Sequence, residues 1–186
     1  MAVRVQRYRP GDSVVSPLYL DSNFIVATLN NRDSLYRRAL PVLRELLRQR
    51  IEVFISTLAV DEVWWRLLEG LTMGARANVP PGTGRQPLGP WLKQNSHELT
   101  NLGQSLQQIW SGLRNWPRVR YLPTQRQQSQ TVILDALTWL QTERLGPRDS
   151  FHLSLALSSG AKGYLTADND FDHLLGKNYT LTVYKF

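Results

Sequence analysis

Acidic side chains at the ends of apolar, β-branched runs are the residues of this chain best equipped for chemistry. Asp21 closes SPLYLD, Glu62 lies a helical turn or two past EVFIS, Asp149 opens a predicted helix, and Asp168 follows KGYLT. In an open parallel sheet ligands bind outside the carboxyl ends of the strands, so acids at matching strand ends converge on one edge. Carboxylates crowded there repel, raise one another's pKa and cost stability unless a cation sits among them. Oxygen-only donors favour Mg²⁺ or Mn²⁺ over zinc, and no Cys or His cluster accompanies these acids. Asp170 and Asp172 follow Asp168 closely and either extend the acidic group or cap the next turn. Asp61 is as near its strand as Glu62 but is rotated by about 100° on the helical wheel.

Each acid alone also has a plainer reading. Asp21 and Asp149 suit helix N-caps, and Glu62 suits a solvated helix face. The joint pattern tips the balance, because it occurs in an otherwise basic protein: 22 Lys+Arg against 15 Asp+Glu, net charge +7. Such an excess draws polyanions through counterion release, and nucleic acid is the commonest of them. With 186 residues, 42% of them hydrophobic and 20% charged, the expectation is a single globular domain over 1–186, not a disordered chain. No apolar run approaches the roughly 20 residues that span a bilayer, so no membrane association is expected. The N-terminal MAVRVQRYRPGDSVVS lacks the apolar region and cleavage site of a secretory signal. The absence of cysteine removes disulfides, thiolate zinc sites and a Cys nucleophile, and fits a cytoplasmic protein.

The elements that must position these acids alternate. Strands are expected over 16–21, 52–56, 119–122, 162–166 and 180–186. Helices are expected from Ser22 to the Asn30–Asn31 pair, from about Asp33 with Pro41 kinking it, from Thr57 as a cap, over about 92–113, over 125–144, and from Asp149 to Gly160. A short helix follows at 170–175. The stretch 70–90 is dense in Gly and Pro and reads as an excursion. Alternation along the whole chain predicts an α/β fold, a central and mainly parallel sheet with helices on both faces.

LYLDSNFIVATL, ISTLAVDEVWW and GPRDSFHLSLALSSGAKGYLTADNDFDHL resemble the acidic motifs of the PIN-domain nucleases, particularly the VapC-like toxin ribonucleases of type II toxin–antitoxin pairs. The resemblance implies a three-layer α/β/α PIN-like fold and Mg²⁺- or Mn²⁺-dependent hydrolysis of RNA phosphodiester bonds. It implies Asp21, Glu62, Asp149 and Asp168 as the catalytic and metal-holding quartet, with Asp170, or else Asp172, as a fifth acid. Asn23 and Thr166 match polar positions of the family that orient carboxylates or water. A small antitoxin and a homodimer are the implied partners, besides the RNA. Residues from about 71 to 117 are enlarged relative to the compact toxins. They would form a helical arm for dimerisation or antitoxin capture, or an RNA-facing loop using Arg76, Arg85 and tryptophans. In the plainer reading Trp91, Trp110 and Trp116 pack that arm onto the domain.

Other chemistries are weaker. His97, His152 and His173 lack metal-ligand spacing, and His152 suits helix packing or a hydrogen bond near the site. GTGRQ lacks the Lys-Ser/Thr of a phosphate loop, and no serine sits in a GxSxG elbow. Phosphotransfer from Asp21 would want an acid two residues on, where Asn23 stands. A catalytically weak PIN-like RNA-binding or scaffolding module is the non-enzymatic alternative.

Overall fold

The computed structural model describes residues 2–77, 84–122 and 126–186. Its six strands, β1 (Arg4–Arg7), β2 (Leu18–Leu20), β3 (Val53–Ser56), β4 (Val119–Leu122), β5 (Gly163–Thr166) and β6 (Thr182–Lys185), form one sheet in the order β1-β6-β5-β2-β3-β4. Every neighbouring pair is parallel. The helices are α1 (Ser22–Leu29), α2 (Tyr36–Arg48), α3 (Thr57–Leu71), α4 (Met73–Arg76), α5 (Leu88–Gln94), α6 (Leu99–Arg114), α7 (Arg126–Thr142) and α8 (Pro147–Ser158).

Strand parity divides the core. Leu18, Leu20, Val53, Ile55, Leu165 and Tyr184 face one side and pack with Phe24, Ile25, Ala39, Val42, Val63 and Leu67 from α1, α2 and α3. The alternate residues Tyr19, Phe54, Tyr164 and Val183 face the other side, against Val132, Leu153, Leu155 and Ala156 of α7 and α8. Burial on both faces explains why the central strands read as unbroken apolar runs. The result is the three-layer α/β/α arrangement that the resemblance implied, with an all-parallel sheet.

Local chemistry moved several boundaries. The edge strand β1, RVQR, carries no apolar alternation and was not expected; it pairs only with β6. Ser56, not Thr57, caps α3, its Oγ accepting the Ala59 backbone N–H at 3.0 Å. Gly146 is the N-cap of α8 with Pro147 at its first position, so Asp149 lies inside the first turn rather than opening it. Pro41 lies within α2, which remains one helical element. The helix expected over 92–113 divides into α5, a 3₁₀ turn at Ser96–Glu98 and α6. The excursion is partly helical, and Arg76 is buried in it, donating to the carbonyls of Gln86 and Glu69. Its guanidinium ties chain segments together and is not offered to RNA. Trp91 is buried and Trp110 packs on Tyr121 with ring centroids 4.8 Å apart, in line with tryptophans that hold the arm down. Gln125, the expected start of α7, lies outside the described residues.

Gly163 permits a close approach within the sheet. A Cβ there would stand 2.7 Å from Leu18 Cδ1, 2.9 Å from Val15 Cγ2 and 3.1 Å from Tyr184 Cε2. Gly163→Ala is expected to destabilise the protein by about 1–3 kcal/mol through overpacking. Thermal or urea unfolding measures this directly, and an unchanged midpoint would show that these side chains have room to move.

Candidate active site

The three central strands β5, β2 and β3 deliver their carboxyl ends to one edge, and the acids gather there. Asp21 follows β2 and caps α1, its Oδ1 accepting the Ser22 N–H at 2.7 Å. Oδ2 accepts the Thr166 hydroxyl at 2.6 Å and the Asn23 amide at 2.8 Å. The pairing of Leu20 with Leu165 brings Thr166, the last residue of β5, beside Asp21. Thr166 Oγ1 also accepts the Asp168 N–H at 2.9 Å, and Asn23 Oδ1 accepts the Ala167 N–H at 3.2 Å. Asn23 and Thr166 thus hold both Asp21 and the start of the segment carrying Asp168. Burial raises the Asp21 pKa, partly opposed by the charge of His152 and by the donors Thr166 and the Ser22 backbone.

Glu62 lies in the second turn of α3 and is buried. Its Oε2 accepts the Ser22 hydroxyl at 2.6 Å and faces His152 Nε2 at 3.0 Å, while Oε1 is 3.5 Å from Arg148 Nε. Burial pushes this carboxyl up, but the hydrogen bonds from His152 and Ser22, with the charges of His152 and Arg148, hold it below its ordinary value. Asp61, its neighbour, is exposed and lines apolar grooves instead.

Asp149 has its pKa raised from 3.8 to about 6, first by burial and then by the charges of Asp168 and Asp21. Asp168 caps the 3₁₀ turn Asn169–Leu174, its Oδ1 accepting the Asp170 N–H at 2.9 Å. Asp21, Glu62, Asp149 and Asp168 all line one cavity of about 380 Å³, with Asn23, Asp33, Arg66 and Arg148 at its wall. At and just behind its wall, atoms of Asp21, Glu62 and His152 lie within 4.8 Å of one another, as do those of Asp149, Asp168 and Asp170. Asp170 is exposed, whereas Asp172 is engaged by Lys185 Nζ at 3.0 Å.

This donor set suits a hard divalent cation. Five carboxylates, the four above and Asp33, share a cavity whose cationic wall groups are two exposed arginines among the described residues, and burial together with mutual repulsion raises the pKa of Asp21 and Asp149. Hydrogen bonds already aim Asp21, leaving little reorganisation for binding.

Ser22, His152, Arg66 and Arg148 were not assigned to the site from sequence. Signals existed for some: Arg66 is four residues past Glu62 on α3, and His152 three past Asp149 on α8, spacings that share a helix face. The Glu62–His152 contact joins two helices 90 residues apart, which no local pattern encodes.

The fold has counterparts among known proteins. Among solved structures, VapBC2 from Rickettsia felis, bound to a DNA fragment from its promoter, superposes with a TM-score of 0.51 at 15% identity over 89% of this chain and 97% of that one. VapC20 of Mycobacterium tuberculosis, a sarcin-ricin loop cleaving toxin, gives 0.48 at 16% identity, over 83% of this chain and 92% of that one. FitAcB from Neisseria gonorrhoeae gives 0.48 at 19%, over 90% and 96%. At 15% identity the likeness to the first of these is one of fold. No curated protein matches the sequence. The family model of the PIN domain matches residues 18–176, from β2 past the last of the acids, and on that match the chain belongs to the PIN domain family.

Proposed function

We propose that this protein is an endoribonuclease that hydrolyses RNA phosphodiester bonds with Mg²⁺ or Mn²⁺, and that it is the toxin of a toxin–antitoxin pair. The observation that carries the reading is the single cavity lined by Asp21, Glu62, Asp149 and Asp168. These four would hold the metal, with Asp170 at the outer rim. A bound divalent ion supplies the Lewis acidity that activates water and offsets charge on the leaving oxygen. Asn23 and Thr166 keep the Asp21 carboxylate oriented through Oδ2. Arg66 and Arg148, at the cavity wall and largely exposed, have the charge to meet the phosphates on either side of the scissile bond. The overall charge of +7 favours the encounter with RNA.

The toxin reading draws support from membership of the PIN family and from an apolar groove of about 770 Å³ between α3 and α6. Val60, Trp64, Leu106 and Trp110 line it, a surface suited to an amphipathic antitoxin helix. In this reading the chain is one domain enlarged over about 71–117, it acts in the cytoplasm, and it pairs as a homodimer. Among the described residues no helix is long and apolar enough to cross a membrane.

Purified protein is expected to cleave single-stranded RNA with Mg²⁺ or Mn²⁺ and to stop when EDTA is added. Cleavage that persists in EDTA would remove the metal reading. Binding without cleavage under all metal conditions would instead favour the scaffolding module.

A further inference from the structure

His152 and Tyr19 are buried beside the acids and take no part in the chemistry proposed above, yet they form a continuous hydrogen-bonded chain to Glu62. His152 Nε2 lies 3.0 Å from Glu62 Oε2, and Nδ1 lies 2.7 Å from the Tyr19 hydroxyl. That hydroxyl is 2.6 Å from Ser56 Oγ, which accepts the Ala59 N–H at 3.0 Å. A carboxylate only accepts, so the proton of the first bond belongs to Nε2. Nδ1 faces a hydroxyl able to donate or accept, so the imidazole is held at both ends. The anchor itself is rigid: Tyr19 stacks on Tyr164 with centroids 5.2 Å apart and planes at 12°, inside the α7–α8 layer of the core.

Glu62 is the movable end of this chain. Ser22 and His152 together occupy Oε2, whereas Oε1 lies 3.5 Å from the 72% exposed Arg148 side chain, which lines the cavity with Glu62. Without the imidazole, Glu62 keeps one donor on Oε2 and an arginine ready to draw it aside. Fixing a long carboxylate in advance spares the entropy of ordering it when a ligand arrives.

We propose that His152 is a positioning residue, whose Nε2–H, oriented by Tyr19, fixes the Glu62 carboxylate so that Oε1 is presented to the metal. The inference rests on the metal-dependent reading of the site. It differs from plain helix packing, which asks only for volume, and from direct ligation, which asks for an Nε2 without a proton.

Two polar replacements separate these roles in the full-length protein. The side-chain nitrogen of His152→Gln can stand where Nε2 stands, while His152→Asn reaches Tyr19 but not Glu62. Mn²⁺ titration followed by electron paramagnetic resonance, on protein checked for folding by near-UV circular dichroism, reads the affinity without any turnover. The expected result is a loss of about 10–100-fold in Mn²⁺ affinity for His152→Asn, with most of it recovered in His152→Gln. Wild-type affinity in His152→Asn, or no recovery in His152→Gln, overturns the proposal. So does a ¹⁴N imidazole coupling to Mn²⁺ in the wild type, which would make His152 a ligand. Wild-type protein that binds no Mn²⁺ at all would instead remove the metal reading, and this inference with it.

Discussion

Asp21→Asn is expected to lower RNA cleavage by about a thousand-fold or more, the equivalent of about 4 kcal/mol of lost transition-state stabilisation, while shifting the melting temperature by only a few degrees. The carboxylate is the most buried of the acids that line the cavity and receives three hydrogen bonds of 2.6–2.8 Å. An amide keeps the acceptor that caps α1 but presents NH₂ where Thr166 and Asn23 both donate. One mismatched donor costs about 1–3 kcal/mol. Against this, burial already raises the Asp21 pKa, so removing its charge returns part of that cost. Single-turnover cleavage and thermal unfolding, measured on the same preparation, separate the two effects. Activity within tenfold of wild type would exclude Asp21 from the metal site; a collapsed fold would make it chiefly a helix cap.

Asp149→Asn should also abolish cleavage, yet stabilise the metal-free protein. The folded pKa of about 6 stands above the ordinary 3.8, so between those values the unfolded chain gives up its proton first. Stability therefore falls as pH rises from about 4 to 6 and stays lower above that range. A shift of this size corresponds to at most about 3 kcal/mol, and partial exposure reduces it to about 1–2 kcal/mol. Loss of a favourable charge in the first turn of α8 offsets about 0.3–1 kcal/mol of that. The net expectation in EDTA at pH 7 is a gain of about 1 kcal/mol, or about 2–4 °C, shrinking toward nothing near pH 4. Mg²⁺ should reverse the order, raising the wild-type midpoint and leaving the variant unmoved. A variant less stable than wild type at every pH would mean that Asp149 serves the helix more than the cavity.

The central strands and the residues following them were legible because burial on both faces leaves compact apolar runs with polar ends. SPLYLD, EVFIS and KGYLT are such runs, and three of them account for β2, β3 and β5. The edge strand RVQR carries no such signal because its side chains are mostly exposed and only Val5 is apolar. Caps were misread where two candidates stood side by side: Ser56 against Thr57, and Gly146 with Pro147 against Asp149. There the outcome depends on where the preceding element, β3 in the first case and α7 in the second, releases the chain. The positions of the acids could be read from strand ends, but the partners that aim them could not. Thr166 reaches Asp21 across 145 residues, and His152 reaches Glu62 across 90, through strand order and layer packing.

That same strand order has a consequence for synthesis on the ribosome. β2 has β3 beside it early, but its other neighbour is β5, and Asp21 gains Thr166 only after residue 166 has been translated and has emerged. Until then the nascent polypeptide carries Asp21 and Glu62 without Asp168, and for most of that time without Asp149, so a chain stalled or truncated before β5 lacks the full set of acids. By this topology the last of the four acids joins the others only once β5 has taken its place beside β2.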